Sequence, residues 1–379
     1  MTKIFLLAGE ASGDLLGART MAALKRLHPG IEFCGIGGEQ MAHEGVTSLF
    51  PMHDLALLGL AEIIPNIPNL RRRLTQTLEA IHAEQPDILL TIDIPGFALR
   101  VLKELGPGKI KRVHYVAPQV WAWREGRVKK YPGLWEELLC LLPFEPDYFA
   151  PHGLHPVFTG HPVLESGADQ GDKARFFATH NLAPDSTPVI FMLGSRRGEI
   201  ARLAPVFRET LTLIAPQIPT LVPILPVAQG VDDTVLAATK DWPVPPLLIH
   251  GISERYDAFA AAKAALTKSG TSTLELAMAG VPMALTYRVN PISAWLFRRM
   301  VKIPYVGIVN LLAKKLVIPE LLQEDCTPAK LSTTLLTLLR DDQAVSAQRQ
   351  GFHEVLASLR APEGTPSEAA AKAILALLG

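Results

Sequence analysis

The sequence predicts an α/β protein built from two doubly wound parallel sheets, on three observations. Short apolar runs recur between stretches of helix formers. Turns of small residues follow several of these runs and open the next helix. The alternation breaks once, over Gly160 to Pro188, and then resumes. Strands alternating with helices bury both faces of a parallel sheet, and 379 residues supply two full cores at roughly 100 to 200 residues each.

Lys3 to Gly9 is the first apolar strand, followed by the turn Glu10-Ala11-Ser12-Gly13-Asp14 and a helix ending near His28-Pro29-Gly30. Ile31 to Ile36 repeats the strand and Gly37-Gly38 the turn. A Leu- and Arg-rich helix over Ile67 to Glu84 precedes a strand at Asp87 to Asp93. Arg112 to Val116, Leu138 to Leu142 and Val157 to Thr159 continue the series. After the break, strands are expected at Val189 to Leu193, Thr220 to Leu225, Leu247 to His250, Ala264 to Thr267 and Met283 to Thr286. Helices are expected to start near Gly198, Val231, Ser253 and Thr271, and beyond Pro319 only helical patterns remain.

Composition narrows the function. Lys plus Arg and Asp plus Glu both number 37, so no overall field recruits nucleic acid. A mean hydropathy of +0.21 is high for a soluble chain, yet no apolar run approaches the roughly 18 to 20 residues of a membrane span, so any membrane contact is expected to be peripheral. Cys34, Cys140 and Cys326 form neither a disulfide frame nor a zinc motif and read as core thiols of a cytoplasmic protein; no metal or other cofactor is expected.

Ligands of doubly wound sheets sit beyond the carboxyl ends of strands, which directs attention to four turns: Gly9 to Asp14, Asp93 to Phe97, Gly194 to Gly198 and Ser269 to Ser272. The last is small enough for a pyrophosphate to approach the main chain. Glu275 follows within one helical turn, where it either closes a capping box with Ser272 or accepts from ribose hydroxyls. Gly194-Ser195-Arg196 offers a hydroxyl and a guanidinium to phosphate, or is a solvated basic loop. Tyr287 and Arg288, just past another strand, favour a nucleotide diphosphate in this half. Neither a P-loop nor a GxGxxG fingerprint is present. Asp93 ends an apolar strand, surroundings that suit a general base, although a turn or N-cap role would also explain it. Trp121 and Trp123, followed by cations, read either as core or as a substrate-facing wall.

Taken together, GEASGD from Gly9, IDIPGF with Asp93, HYVAPQVWAWR from His114, LPFE from Leu142, GHP from Gly160, GSR from Gly194, SGTSTLE from Ser269, YR at Tyr287 and VNLLA from Val309 resemble the lipid-A-disaccharide synthase family nearly end to end. The resemblance implies a GT-B fold of two Rossmann-like domains facing a central cleft. An acceptor domain is implied over 1–165 and a UDP-sugar donor domain over 185–354, with a last helix at about 355–379 packing back on the first. The reaction implied joins UDP-2,3-diacylglucosamine to 2,3-diacylglucosamine 1-phosphate with inversion, releasing UDP and the lipid A disaccharide phosphate. Asp93 is then the base; Ser195, Arg196, Ser269, Gly270, Thr271, Ser272, Glu275, Tyr287, Arg288 and Asn310 hold UDP; Glu10, Ser12 and Gly13 face the acceptor. Ala98 stands where the family usually has Asn. A UDP-sugar 2-epimerase or a non-catalytic UDP-lipid binder would share the architecture.

Acyl-chain substrates must be met at a membrane. Leu55 to Ile67, which includes Ile63, is apolar and leads to Arg71-Arg72-Arg73, and Trp295, Phe297, Arg298 and Arg299 repeat the pairing of bulky apolar residues with cations. Either segment is a core-facing helix with a basic edge, or the two together bind the anionic inner face of the inner membrane.

Overall fold

The computed structural model describes residues 2–55, 60–123, 125–290 and 303–379. The chain forms two compact units, Met1–Pro162 with Leu359–Gly379 and Val163–Ser358.

The first unit runs β1 (Lys3–Ala8), α1 (Ala11–Leu27), β2 (Glu32–Ile36), α2 (Glu39–His43), α3 (Leu60–Glu84), β3 (Ile88–Ile92), α4 (Pro95–Leu105), β4 (Lys111–Tyr115), β5 (Glu137–Cys140), α5 (Glu145–Phe149) and β6 (Pro156–Phe158). All six strands pair parallel in the order β2-β1-β3-β4-β5-β6. Side-chain alternation divides each central strand between two cores. Phe5, Leu7 and Leu89 pack with Phe97, Val101 and Leu102 of α4. Ile4, Leu6, Ile88, Leu90 and Ile92 pack on the other face with Leu16, Met21 and Leu24 of α1. Burial on both faces explains why β3 is apolar apart from Thr91, whose hydroxyl donates to the Val113 carbonyl at 3.1 Å.

The second unit runs α6 (Lys173–Thr179), β7 (Thr187–Phe191), α7 (Arg197–Ile214), β8 (Leu221–Pro226), α8 (Asp232–Thr239), β9 (Leu247–Ile249), α9 (Ile252–Ala261), β10 (Ala264–Thr267), α10 (Ser272–Met278), β11 (Met283–Tyr287), α11 (Ile308–Ala313), β12 (Glu320–Leu322), α12 (Pro328–Arg340) and α13 (Asp342–Ser358). Its parallel sheet has the order β9-β8-β7-β10-β11-β12. The last helix, α14 (Pro366–Ala376), belongs to the first unit, where Ala370, Ala371 and Ile374 complete the core beside α1. Residues 163–184 belong to the second unit, and Arg175 of α6 grips the carboxylate of Asp257 through Nε and Nη2, both at 2.6 Å.

One expectation fails. The segment after Pro319 is not wholly helical, because Glu320–Leu322 adds a parallel edge strand along Leu285–Tyr287. Three residues with two leucines carry no strand periodicity. Their conformation comes from pairing with β11 and from Glu320, whose carboxylate accepts from the N–H groups of Val306 (3.0 Å) and Gly307 (2.9 Å).

Within the first turn sequence, Asp14 is buried and structural. Its carboxylate accepts from the backbone N–H groups of Gly38 (2.8 Å), Gln40 (2.9 Å) and Met41 (3.0 Å), satisfying the start of α2 from the flank of α1. Orphaned buried donors are costly. Asp14→Ala is therefore expected to lower the unfolding free energy by about 2 to 3 kcal/mol in urea melts, and an unchanged midpoint would show that water replaces the carboxylate at no cost.

Candidate active site

In the second unit the strand order reverses between β7 and β10, so the turns after these two neighbouring strands stand side by side at their carboxyl ends, where doubly wound sheets take their ligands. After β7 the chain turns at Gly194, whose φ of +101° suits glycine and where a Cβ would lie 2.3 Å from Oε2 of Glu199. Ser195 N–H donates to that oxygen at 3.2 Å, and Lys268, at the end of β10, pairs with it at 3.0 Å. Arg196 is the N-cap of α7, exposed and in extended conformation, so the guanidinium stands at the positive end of a helix of 18 residues. Tyr287, at the end of β11, lies in the same field: burial raises its phenol pKa, Glu199 adds to the rise, and Arg196 and Arg202 oppose it.

After β10, Ser269 Oγ donates to the Val306 carbonyl at 3.1 Å, Gly270 has φ +152°, and Thr271 is the N-cap of α10 with no side-chain cap bond. Ser272 is the first residue of the helix, so the Ser272–Glu275 capping box does not form. Glu275 Oε1 instead accepts from Arg255 Nη2 and Tyr256 Oη, both at 3.0 Å, and no described residue engages Oε2. Arg288 is exposed, its charge reaching the buried Cys326 thiol. Asn310 is different. It is fully buried; Nδ2 donates to the Ile318 carbonyl (2.8 Å) and to Glu320 (2.9 Å), and Oδ1 accepts from Val317 and Ile318 N–H. Every polar atom of the amide is committed to holding the 317–320 segment, and through Glu320 the backbone at Val306 and Gly307.

In the first unit the order reverses between β1 and β3, and the turns after these strands meet. Asp93 and Ile94 both adopt left-handed backbone, φ +54° and +42°, and Val116 after neighbouring β4 has φ +76°. Such conformations cost on the order of 1 to 3 kcal/mol each and gather where function requires an aimed side chain. Ile94, not Asp93, is the N-cap of α4, so the capping explanation for Asp93 does not hold. Burial raises the Asp93 carboxyl pKa, partly offset by the Ile94 N–H. Gly9 permits this arrangement: a Cβ there would lie 2.8 Å from both Cγ2 and Cδ1 of Ile94. Glu10 is the N-cap of α1, Ser12 is exposed on its first turn, and Gly13 is buried against Ala8 and Ile92. Ala98 is buried in the core, its N–H bonded to the Ile94 carbonyl.

The aromatic stretch divides its work. His114 stacks on Trp135 with centroids 5.2 Å apart and is buried, which lowers its pKa to about 4. Trp121 meets Phe144 edge-on and donates from Nε1 to Glu145 at 3.1 Å. Glu145 also accepts from Leu141 and Leu142 N–H, yet burial outweighs these donors and pushes its pKa up to about 7. Trp123 is exposed.

Ile63 lies in α3, but its side chain is outside the described residues, as are Trp295, Phe297, Arg298 and Arg299. Among the described residues no helix is long and apolar enough to cross a membrane, and no cluster of three or more His, Cys, Asp or Glu converges. The partners of the predicted residues Glu275 and Tyr287, namely Arg255, Tyr256 and Arg202, lie on other elements and belong to no turn motif, and the Lys268–Glu199 pair joins two residues that carry no site motif.

Comparison with known proteins adds three findings. The model of a family described as lipid-A-disaccharide synthetase matches residues 4–374. Curated lipid-A-disaccharide synthases from Granulibacter bethesdensis and Gluconobacter oxydans are each 54% identical, covering 99% of this chain and 98% and 90% of their own lengths. Among solved structures, the S. aureus MnaA–UDP co-structure aligns with TM-score 0.69 at 14% identity, over 100% of this chain and 97% of that one. The calicheamicin glycosyltransferase CalG4 aligns at 0.60 and 16%, over 100% and 98%, and Acinetobacter baumannii MurG at 0.53 and 14%, over 95% and 99%.

Proposed function

The chain belongs to the lipid-A-disaccharide synthetase family, and on that premise we propose that Asp93 of the first unit is the catalytic base while the β7/β10 turns of the second hold the UDP of the donor. The protein is a GT-B glycosyltransferase: it joins UDP-2,3-diacylglucosamine to 2,3-diacylglucosamine 1-phosphate, giving the lipid A disaccharide 1-phosphate and UDP. The observation that carries the assignment of the base is Asp93 itself, aimed by left-handed backbone at a strand end and kept basic by burial.

In this reading Asp93 removes the proton from the acceptor's 6-hydroxyl as that oxygen attacks the anomeric carbon of the donor from the face opposite the diphosphate, which inverts the configuration. Charge developing on the departing UDP is met by Arg196, Ser195 and the free N–H groups at the start of α7, with Arg288 and Tyr287 alongside. The Ser269-Gly270-Thr271-Ser272 turn approaches the same phosphates, and Glu275 Oε2 accepts from the ribose hydroxyls while Arg255 and Tyr256 hold Oε1. Asn310 acts on the site only through Glu320 and the backbone that Ser269 touches. Glu10, Ser12 and Gly13 line the acceptor side, where the N-terminus of α1 suits a sugar 1-phosphate. The fold alone would fit an epimerase equally well, since a UDP-GlcNAc 2-epimerase from Neisseria meningitidis aligns at TM-score 0.63, but at 13% identity that likeness speaks only to fold.

Three outcomes follow. Asp93→Asn is expected to keep UDP affinity and lose turnover by about 10² to 10⁴. Because the base works deprotonated and its pKa is raised, wild-type kcat should fall as pH drops through a value above the ordinary carboxylate range, and the residual activity of Asp93→Asn should lack that limb. A folded variant with wild-type turnover would return Asp93 to a structural role. On the donor side, Arg196→Ala and Glu275→Ala should each weaken calorimetric UDP affinity by about 1 to 3 kcal/mol, with or without EDTA; wild-type affinity in both would exclude these contacts. Finally, the apolar and cationic segments at Leu55 to Ile67 and at Trp295 to Arg299 should bind anionic vesicles in a salt-sensitive way, weakened by Trp295→Ser/Phe297→Ser. Equal pelleting of variant and wild type at every salt concentration would assign these residues to the core.

A further inference from the structure

Glu199 presents a difficulty for a diphosphate site. Its side chain is only 11% exposed, it braces the turn by accepting from Ser195 N–H, and it occupies the space beside Gly194 that any side chain there would fill. An anion so placed should repel the anion that the turn is meant to hold. Across the strand reversal, Lys268 answers it: Nζ lies 3.0 Å from Oε2 and 3.3 Å from Oε1, from a position 69 residues away in sequence. Arg196 and Arg202 share the field, as their opposition to Glu199 at Tyr287 shows. With Lys268 the group Arg196, Arg202, Lys268 and Glu199 carries a net charge of about +2, equal and opposite to the diphosphate diester of a nucleotide sugar; without it the net is about +1, with a carboxylate left unpaired in a poorly solvated place.

We propose that Lys268 is a positioning residue of the donor site: it neutralises Glu199, so that the carboxylate can brace the Gly194 to Arg196 turn without repelling the diphosphate. This rests on the reading of that turn as the UDP site. The role is electrostatic and local to the phosphates, so it differs from a general contribution to folding. Replacing the lysine should harm ligands with a diphosphate and spare the nucleoside, and removing both partners should repair most of the harm.

The test is calorimetric titration of the full chain with UDP and with uridine. Lys268→Met should weaken UDP on the order of 10- to 100-fold and leave uridine unchanged, Lys268→Arg should retain UDP affinity, and Lys268→Met/Glu199→Gln should return it to within about threefold of wild type. Wild-type UDP affinity in Lys268→Met would overturn the proposal. So would an equal loss for uridine, which marks a collapsed turn, or no recovery in the double variant, which marks direct contact of Lys268 with phosphate. A wild-type protein that binds uridine but gains nothing from the diphosphate would instead sink the donor reading itself, and this inference with it.

Discussion

All-parallel strand pairing is the constraint on which the rest depends. It sends every strand of a sheet out at the same edge and obliges the chain to return through a helix, so turn chemistry accumulates at the carboxyl ends. Where successive crossovers leave in opposite directions, two adjacent turns stand side by side at the carboxyl edge, the usual ligand position of such sheets. Each unit has one such place, β1/β3 and β7/β10. The four turns rich in small and polar residues are the turns at those two places.

At both reversals the turns are held by a contact made across the gap. In the first unit the contact is apolar: Ile94 fills the space over Gly9, beside two successive residues in left-handed backbone that neither prefers. In the second the contact is ionic, with Lys268 meeting Glu199 beneath Gly194. The difference suits what each turn presents. Apolar surroundings raise the pKa of the Asp93 carboxyl in the first unit, whereas the second gathers Arg196, Arg202 and Lys268 around Glu199.

Several polar residues in family-like motifs bond the protein's own backbone and side chains. Asp14 gives its carboxylate to three backbone N–H groups, Asn310 spends its whole amide on the 317–320 segment, and Glu145 ties Trp121 to the end of β5. A motif therefore includes groups committed to holding the fold, and burial and bonding identify them. The same distinction explains why structures of different activity share this fold at 11 to 16% identity, since the fold supplies the crevice and a few side chains supply the reaction.

Local composition was enough for most of the strand and helix series and for the placing of Asp93, Ser195, Arg196 and the Ser269 turn at strand ends, because strand runs and small-residue turns are short-range signals. The tertiary structure decided what those signals leave open. Glu275 could be a capping residue or a ribose acceptor on spacing alone, and it took Arg255 and Tyr256 from α9 to remove the first. Glu320–Leu322 has no strand pattern of its own and is extended only because β11 offers an edge. Lys268 and Glu199 carry no motif at all; they are paired because β10 lies beside β7, and strand adjacency across some 70 residues is a property of how the sheet is wound rather than of any local run of side chains.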